Sequence, residues 1–218
     1  MNYLLNPLHY DLSDQSSIPS LLLQHLKIVG ISMLISLIIA LPLGLLVARY
    51  RRLYLPVITT TGLLYTIPGL ALLAFLVPVT GLSIATIIIP LVLYTQLVLV
   101  RNTAAAVNGI NPLLPDVGRA MGMNGQQMLL RVTLPLALPV IIAGVRVATV
   151  TTIGIASLAS LVGQGGLGDL IFTGIQNQNY DQVVAGAIVI ALLAIFFDLA
   201  LLGIQIALNR GRSAISVA

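Results

Sequence analysis

The chain contains apolar stretches that are too long and too poor in charge for the core of a soluble protein. Residues 28–48 contain no charged side chain, and neither do residues 53–100. Crossing the hydrocarbon core of a bilayer takes about 20 helical residues. Charged side chains make up 7% of the chain, against about 25% in an ordinary soluble domain. Lipid is therefore the solvent of this chain, and we predict an all-α membrane protein.

The hydrophobic runs predict five membrane-spanning helices in a single transmembrane domain that covers residues 1–218. The longer uncharged run is divided at residues 78–81, where the turn-forming sequence Pro-Val-Thr-Gly occurs. A helix around residues 18–26 is expected to extend the first span rather than add another. The predicted spans are residues 28–48, 55–77, 82–100, 135–161 and 182–209.

The N-terminal region, residues 1–27, does not fit a secretory signal peptide, because it lacks a basic start and contains Asp11 and Asp14. We predict that residues 1–20 form a short external tail or an interfacial segment. The first hydrophobic helix then serves as the uncleaved insertion signal.

The basic residues predict which side of the membrane each loop faces. With the N-terminus outside and the C-terminus inside, eight of the ten Lys and Arg residues fall in cytoplasmic segments, and four of the six Asp residues fall outside. This distribution follows the positive-inside rule. It places residues 102–134 in the cytoplasm and residues 163–181 outside. The cytoplasmic basic residues are Arg49, Arg51, Arg52, Arg101, Arg119, Arg131, Arg210 and Arg212.

Composition excludes several classes of function. Cysteine is absent, which removes disulfides, thiolate metal sites and thiol nucleophiles. Glutamate is also absent, and both histidines lie near the N-terminus. The basic residues are scattered among apolar runs, so a pI near 9.8 reflects membrane topology rather than nucleic-acid binding. We predict no catalytic residue, no metal site and no cofactor in this chain.

A charged, glycine-punctuated segment, residues 116–122, stands between two apolar runs and is followed at a fixed distance by Leu134 and Pro135. We predict one helix over residues 113–130, since Pro115 suits a helix start and Asp116 in the first turn suits the helix dipole. Its small residues would leave one helix surface without protruding side chains, so that a partner's backbone could approach closely. An amphipathic connector lying on the membrane is the alternative. The small residues are Gly118, Ala120 and Gly122.

This spacing resembles the cytoplasmic loop of the inner-membrane permeases of bacterial ABC importers. Their pattern reads Glu-Ala-Ala, three residues, Gly, nine residues, Ile, one residue, Leu-Pro. Asp116, Val117 and Gly118 stand for Glu-Ala-Ala, and Val132 stands for the Ile. Gly122, Leu134 and Pro135 match outright. The resemblance implies that the loop docks into a cleft of an ATPase subunit, with these candidate coupling residues: Asp116, Gly118, Arg119, Ala120, Met121, Gly122, Met123, Leu134 and Pro135.

Other segments are similar to the permeases of osmoprotectant importers, which carry glycine betaine, carnitine, choline and related quaternary ammonium compounds. The resemblance covers about residues 22–207. The segments that carry it are Tyr-Thr-Ile-Pro-Gly at 65–69, Leu-Tyr-Thr at 93–95, Val-Arg-Asn-Thr at 100–103, Leu-Pro-Leu-Ala-Leu-Pro-Val-Ile-Ile-Ala-Gly at 134–144, Arg-Val-Ala-Thr-Val at 146–150 and Leu-Val-Gly-Gln-Gly-Gly-Leu-Gly at 161–168.

The resemblance implies a set of partners in the cytoplasmic (inner) membrane of a bacterium. Two ATPase subunits would bind ATP and Mg²⁺ and hydrolyse the ATP, because this chain has no Walker sequence. A second copy of the permease, or a paralogue, would complete a central pathway that works by alternating access. An extracytoplasmic substrate-binding protein would be a separate polypeptide, and membrane lipid would surround the assembly.

Two charged residues fall inside predicted spans. A charge at the bilayer centre costs at least about 2.5–3.5 kcal/mol, so neither Arg146 nor Asp198 should face lipid. Arg146 lies about three helical turns beyond Pro135, and Asp198 lies a similar distance before Arg210. This similar depth allows a direct ion pair. The alternative is that Arg146 lines a dimer axis or a water-filled vestibule.

Further residues are candidates for the translocation pathway or a gate. Proline and glycine within a span can be a simple kink or can open a cavity at membrane depth. The glycine-rich residues 163–168 are either a tight external turn or a gate that contacts the binding protein. Tyrosines in spans either pack or offer passing cation–π contacts. The pathway candidates are Tyr65, Pro68, Gly69, Tyr94, Arg146, Gly163, Gln164, Gly165, Gly166 and Asp198.

Two alternative functions remain. A permease for an amino acid, of the methionine type, shares the loop pattern. An ion-coupled secondary transporter would need intramembrane carboxylates, and Asp198 alone is meagre support; inverted repeats are not apparent either.

Overall fold

The computed structural model describes residues 2–5, 7–11 and 13–210. These ranges consist of helices and the turns that join them, with no β-strand among them. Arg212, which is predicted to lie on the cytoplasmic side, falls outside the described residues. The α-helices of the described part are α1 (Asn2–Leu5), α2 (Ile18–Arg49), α3 (Arg51–Thr66), α4 (Gly69–Thr80), α5 (Ile84–Asn108), α6 (Leu113–Ala120), α7 (Gly125–Met128), α8 (Leu134–Ile155), α9 (Gly168–Gln176) and α10 (Tyr180–Arg210).

Within the described residues, four helical segments are individually long and apolar enough to cross a membrane. They are α2, α5, residues 125–162 and α10; the third joins α7 and α8 through a π-helical turn, Leu129–Thr133, and ends in a 3₁₀ helix, Ala156–Val162. Helices α3 and α4 pass the same test only as a pair. The predicted count of five spans is therefore reached when this pair is one span.

The second predicted span, residues 55–77, is wrong as a continuous helix. Helix α3 ends at Thr66 and α4 begins at Gly69, with a bend of 90° between them. Pro68 causes the break, because proline lacks an N–H and disfavours helical dihedrals in the residue before it. Ile67 accordingly adopts an extended conformation with ψ 125°. The predicted turn at residues 78–81 is confirmed, since α4 ends at Thr80 and Gly81 has φ +68°.

The first span begins earlier than the predicted apolar run, as the expected extension over residues 18–26 requires. Ser17 is the N-cap of α2, and its hydroxyl accepts a hydrogen bond from the Ser20 N–H. Pro19 lies in the first turn, where a missing N–H costs nothing. The helix then runs for 32 residues to Arg49, so that Lys27 and His25 lie within it.

Helix α5 is the centre of the bundle and packs against α2 on one side and α8 on the other. Two glycines make these contacts close. A Cβ atom on Gly44 would lie 2.5 Å from Thr103 Cβ, and one on Gly144 would lie 2.5 Å from Asn102 Cβ. Small residues that let two backbones approach are the usual basis of helix packing in membranes.

We expect Gly44→Leu to destabilise the protein, because the new side chain would collide with Thr103 across the contact between α2 and α5. Overpacking a tight contact costs about 1–3 kcal/mol. The measurement is thermal unfolding of the detergent-solubilised protein. Gly30→Leu on the same helix is the matched control, since nothing lies within 4 Å of a Cβ there. Equal losses in the two variants would contradict the close-packing explanation.

Two long-range hydrogen bonds establish which helix ends meet. Gln164 Nε2 donates to the Leu82 carbonyl at 3.0 Å, and the Gly166 N–H donates to Gln24 Oε1 at 3.0 Å. The beginnings of α2 and α5 therefore lie beside the end of residues 125–162. At the opposite end of the bundle, Arg49 and Met128 both line a groove of about 550 Å³. The end of α2 therefore lies beside the 109–133 segment.

The N-terminal segment packs onto the bundle. It contains α1 and a 3₁₀ helix, Pro7–Tyr10. Tyr3 and Leu4 contact a small core formed by Ile18, Leu21, Leu167 and Leu170. Part of the region predicted as a tail, residues 1–20, thus packs over the beginnings of α2 and α9. Ile18 already belongs to the first span.

Candidate functional site

The loop that carries the Asp116–Pro135 pattern begins later and is more sharply folded than the sequence suggests. Helix α5 continues to Asn108, so only residues 109–133 form the connection. The predicted single helix over residues 113–130 is wrong. Helix α6 ends at Ala120, and α7 begins at Gly125. The two short helices fold back on each other across the turn at residues 121–124.

Gly122 is the reason for the break between α6 and α7. Its φ is +80°, a left-handed conformation that a residue with a Cβ adopts at a cost of about 1–2 kcal/mol. The N–H of Met123 closes the end of α6 with a 3.1 Å hydrogen bond to the Gly118 carbonyl. Asn124 then starts α7 through a capping box with Gln127. The turn geometry thus depends on glycine at this position.

The small residue Gly118 faces inward. A Cβ there would lie 2.5 Å from Met128 Cε, so this glycine lets α6 pack on α7. The prediction that Gly118 helps to form the partner-facing surface of the helix is therefore wrong. The candidate coupling residues that are exposed lie at and before the turn: Asp116, Arg119, Ala120, Met121 and Gly122. Met123 is partly buried.

The other half of the pattern ties the loop to a spanning helix. Leu134 begins α8, and Pro135 occupies its first turn. The π-helical turn Leu129–Thr133 precedes it without a gap. Helical residues therefore run continuously from the second half of the loop, at Gly125, to Val162.

The predicted ion pair between Arg146 and Asp198 is confirmed. Arg146 Nε donates to Asp198 Oδ1 at 3.0 Å, and Arg146 Nη2 donates to Asp198 Oδ2 at 2.9 Å. This bidentate pair joins α8 to α10. Arg146 Nη1 also donates to Gln205 Oε1 at 2.9 Å. Gln205 was missed in the sequence, although it lies two helical turns after Asp198 and so on the same face of α10.

Two tyrosines meet at the break between α3 and α4. Tyr94 of α5 is 5% exposed, and its hydroxyl donates to the Ile67 carbonyl at 2.8 Å. Tyr65 is 42% exposed. Its ring meets that of Tyr94 edge to face, with 6.0 Å between centroids. The structure therefore brings together four predicted pathway residues, with Pro68 forming the break and Gly69 beside Tyr94.

The glycine-rich segment at residues 163–168 is a tightly packed turn at the other end of the bundle. Gly163, Gly165 and Gly166 all have positive φ. A Cβ on Gly165 would collide with Gln24 Oε1. Gln164 bonds the turn to Leu82, as described above. The sequence predicted residues 163–181 as a loop, but α9 occupies more than half of the region after this turn.

Two polar residues of α2 that hold this turn were missed in the sequence. Gln24 accepts the Gly166 N–H, and His25 is fully buried, with Nε2 donating to the Ile153 carbonyl at 3.0 Å. The available signal was a histidine just before the first apolar run, in the region expected to extend the first span. The turn and the Arg146–Asp198 pair do not share contacts, so the predicted pathway residues form separate groups rather than one site.

No group of three His, Cys, Asp or Glu residues that could hold a metal ion occurs in residues 2–5, 7–11 and 13–210. The described helices form a bundle with an exposed loop at one end and a glycine turn at the other.

A family comparison agrees with this arrangement. The sequence profile of the family described as "Binding-protein-dependent transport system inner membrane component" matches residues 40–213. The chain belongs to this family. It is an inner-membrane, multi-pass component of an ABC importer, and the resemblance to osmoprotectant permeases noted from its sequence is confirmed.

Named relatives match more than four fifths of this permease. The "Osmoprotectant import permease protein OsmW" of Salmonella typhimurium is 37% identical over 210 residues, which span 94% of this chain and 98% of the relative. The "Glycine betaine/carnitine/choline transport system permease protein OpuCD" of Bacillus subtilis is 45% identical over 177 residues, which span 81% of this chain and 77% of the relative.

A solved structure shares the fold of the permease. A chain of the MetNI methionine ABC transporter, in an inward-facing conformation, superimposes with a TM-score of 0.76 at 24% identity. The match covers 85% of this permease and 93% of that chain. The fold of the bundle is therefore a known permease architecture.

Proposed function

We propose that this permease moves a small osmoprotectant, such as a quaternary ammonium compound, across the cytoplasmic membrane by alternating access. The observation that carries the proposal is the 113–135 segment, which combines an exposed turn with a continuous helical connection to α8. In this proposal the permease provides the pathway, and a separate ATPase provides the energy. The chain itself makes and breaks no covalent bond.

The proposed orientation places the 113–135 segment in the cytoplasm, the N-terminus outside and the C-terminus inside. The distribution of charge over the two ends of the bundle supports it. Arg49, Arg119 and Arg131 lie at the end that holds this segment, whereas Asp14 and Asp169 lie at the opposite end. Cytoplasmic segments of membrane proteins are enriched in Arg and Lys.

Coupling to the ATPase is proposed to occur through the exposed turn of the loop. Asp116 and Arg119 form a loose pair at 3.5 Å, with 63% and 71% of their side chains exposed. Met121 is 71% exposed, and an unbranched, polarizable side chain adapts well to a groove on a partner. ATP binding would draw two such loops together, and the helical connection through Leu134 would tilt α8.

A second permease subunit is proposed to cover the face that α3, α4 and α10 leave open. Helix α3 buries only Thr61 within the chain, and α4 buries only Leu73. Large apolar side chains such as Leu55, Phe75 and Phe196 are more than half exposed. Lipid and a partner subunit are the two surroundings that such a surface tolerates.

The substrate class is proposed from the named relatives. The name of OsmW specifies an osmoprotectant, and other relatives whose names specify glycine betaine, carnitine or choline are 37–45% identical to this chain. MetNI, whose name specifies methionine, is related at 24–25% identity, so a methionine-type amino acid is the second candidate. An extracytoplasmic binding protein would deliver the substrate to the end that carries residues 163–168.

The proposal predicts ATP-dependent uptake of at least one quaternary amine. The permease, its ATPase and its binding protein are reconstituted into vesicles, and labelled glycine betaine, carnitine, choline and methionine are offered in turn. Vesicles with an ATPase variant that cannot hydrolyse ATP are the control. Uptake of methionine alone would replace the substrate class, and uptake driven by an ion gradient without ATP would contradict the importer itself.

A further inference from the structure

We infer that the break between α3 and α4 holds a transient binding site for a quaternary ammonium head group, with Tyr65 as the contacting residue. The inference rests on the proposed function and adds to it a residue of the permease that recognises the cation. Three features of the break carry it: a half-helix end, an accessible aromatic ring and a fixed second ring.

The first feature is the position of the helix end. Helix α3 stops at Thr66, and the 90° bend prevents α4 from continuing its axis. The C-terminal end of a helix carries partial negative charge from its last carbonyl groups. Where a spanning helix is interrupted, such an end faces a cavity or a partner rather than lipid, and it favours a cation.

The second feature is the exposed ring of Tyr65 in the last turn of α3. The side chain of Tyr65 is 42% exposed, and most residues next to it in sequence are apolar. A tyrosine face attracts an ammonium group through its quadrupole, and the attraction grows when water is removed. Tyr65 belongs to the last turn of α3 and therefore lies next to the helix end.

The third feature is the rigid backing of that ring. Tyr94 is held by its hydroxyl hydrogen bond to the Ile67 carbonyl and meets Tyr65 edge to face at 78°. An edge-to-face partner leaves one face of Tyr65 free and fixes its orientation. A Cβ on Gly69 would lie 3.0 Å from Leu158 Cδ1 and 4.0 Å from Tyr94, so this glycine lets the start of α4 pack closely beside Tyr94. Tyr94 is therefore a positioning residue.

The chemistry of the break selects a quaternary cation. A trimethylammonium group has no hydrogen to donate, so a π face and carbonyl dipoles are suited to it, and its methyl groups match the surrounding apolar side chains. Asp198, the carboxylate within the spans that could compete for the cation, is already paired with Arg146. Binding by dipoles is weak, and a translocation site must release what it binds.

A thiol-protection experiment tests the site directly. The chain contains no cysteine, so Thr66→Cys places a single thiol in the permease at an exposed position. The permease–ATPase complex is treated with a thiol reagent in the presence of tetramethylammonium, or of neopentyl alcohol as an uncharged probe of similar shape. We expect tetramethylammonium to slow the labelling and neopentyl alcohol to leave it unchanged.

Variants of the tyrosine assign the protection to its ring. Adding Tyr65→Leu should raise the tetramethylammonium concentration for half-protection about five- to thirty-fold, the range that a lost cation–π contact implies. Tyr65→Phe keeps the ring and should stay within about twofold. Tyr54→Leu is the matched control, because Tyr54 lies about three helical turns earlier on the same face of α3 and is 37% exposed.

Three outcomes overturn the site: no protection by tetramethylammonium, equal protection by neopentyl alcohol, or an equal effect of Tyr65→Leu and Tyr54→Leu. The first two use no tyrosine variant, so they hold even if Tyr65→Leu fails to fold. Failure of the proposed function has a different result, namely that the wild-type transporter takes up no quaternary amine. Uptake without protection would overturn the site alone.

Discussion

Replacing Gly122 by leucine is expected to lower substrate uptake by about tenfold or more while ATP hydrolysis by the complex continues. Two effects add. A left-handed residue with a Cβ is strained by about 1–2 kcal/mol, and about 1.4 kcal/mol corresponds to a factor of ten. The leucine side chain would also project from the exposed turn into any docked ATPase. The measurement is vesicle uptake together with phosphate release.

Two further variants separate backbone strain from bulk. Nothing lies within 4 Å of a Cβ on Gly122, so the leucine creates no clash inside the chain and the protein should still insert. Gly122→Asn adds a side chain that tolerates the left-handed conformation and should be milder. Gly125→Leu is the matched control, since Gly125 is exposed in the same segment, has open space around it and has no positive φ. Normal coupling in Gly122→Leu would count heavily against the coupling role.

The second large effect is expected at the ion pair between α8 and α10. Arg146→Met leaves the Asp198 carboxylate in an apolar setting without its partner, and breaking such a pair costs about 3–5 kcal/mol. We expect a large fall in thermal stability and in the amount of inserted protein. Unfolding of the purified protein in detergent, followed by intrinsic tyrosine fluorescence or by light scattering, measures the loss.

A double substitution distinguishes a lost pair from a general packing defect. Arg146→Met combined with Asp198→Leu removes both charges and should recover most of the stability, because no unpaired charge is then left among the apolar side chains of the spans. Gln205→Leu removes only the third hydrogen bond and should cost about 1–3 kcal/mol. A double variant as unstable as Arg146→Met would show that the pair does not determine the loss.

The pairing of Arg146 with Asp198 could be predicted from positions along the chain. Each of the two residues lies about three helical turns from a landmark at the same membrane surface. Similar depth therefore made a direct pair one of the two hypotheses for Arg146, and the structure shows that pair. The same argument does not identify Gln205, because an uncharged amide costs less to place in a membrane than a charged side chain does.

The break at Ile67–Pro68 shows the limit of the same approach. Proline within a span is compatible with a mild kink, and the sequence left a kink and a pathway feature as alternatives. The 90° bend depends on packing against α5, where the Tyr94 hydroxyl donates to the Ile67 carbonyl that the helix no longer uses. That contact joins parts of the chain that are far apart in sequence, so no local pattern predicts it.

Gly118 was misjudged for a related reason. Its small size was read correctly, but the side of the helix that faces inward depends on where α7 lies. The left-handed turn at Gly122 reverses the chain and brings Met128 onto Gly118. A pattern of small residues does not indicate which helix packs against it.

The sequence by itself determined that this chain is a membrane bundle, where most of its spans lie, which segments carry positive charge and which loop carries the importer pattern. The spans and charges follow from solvation, because the cost of placing a charge in lipid depends on residue type and depth. The tertiary structure decided the bend of the second span, the fold of the 113–135 segment and the contacts of Gln24 and His25 around the glycine turn. Those depend on which surfaces meet, and helices far apart in sequence settle that only by packing together.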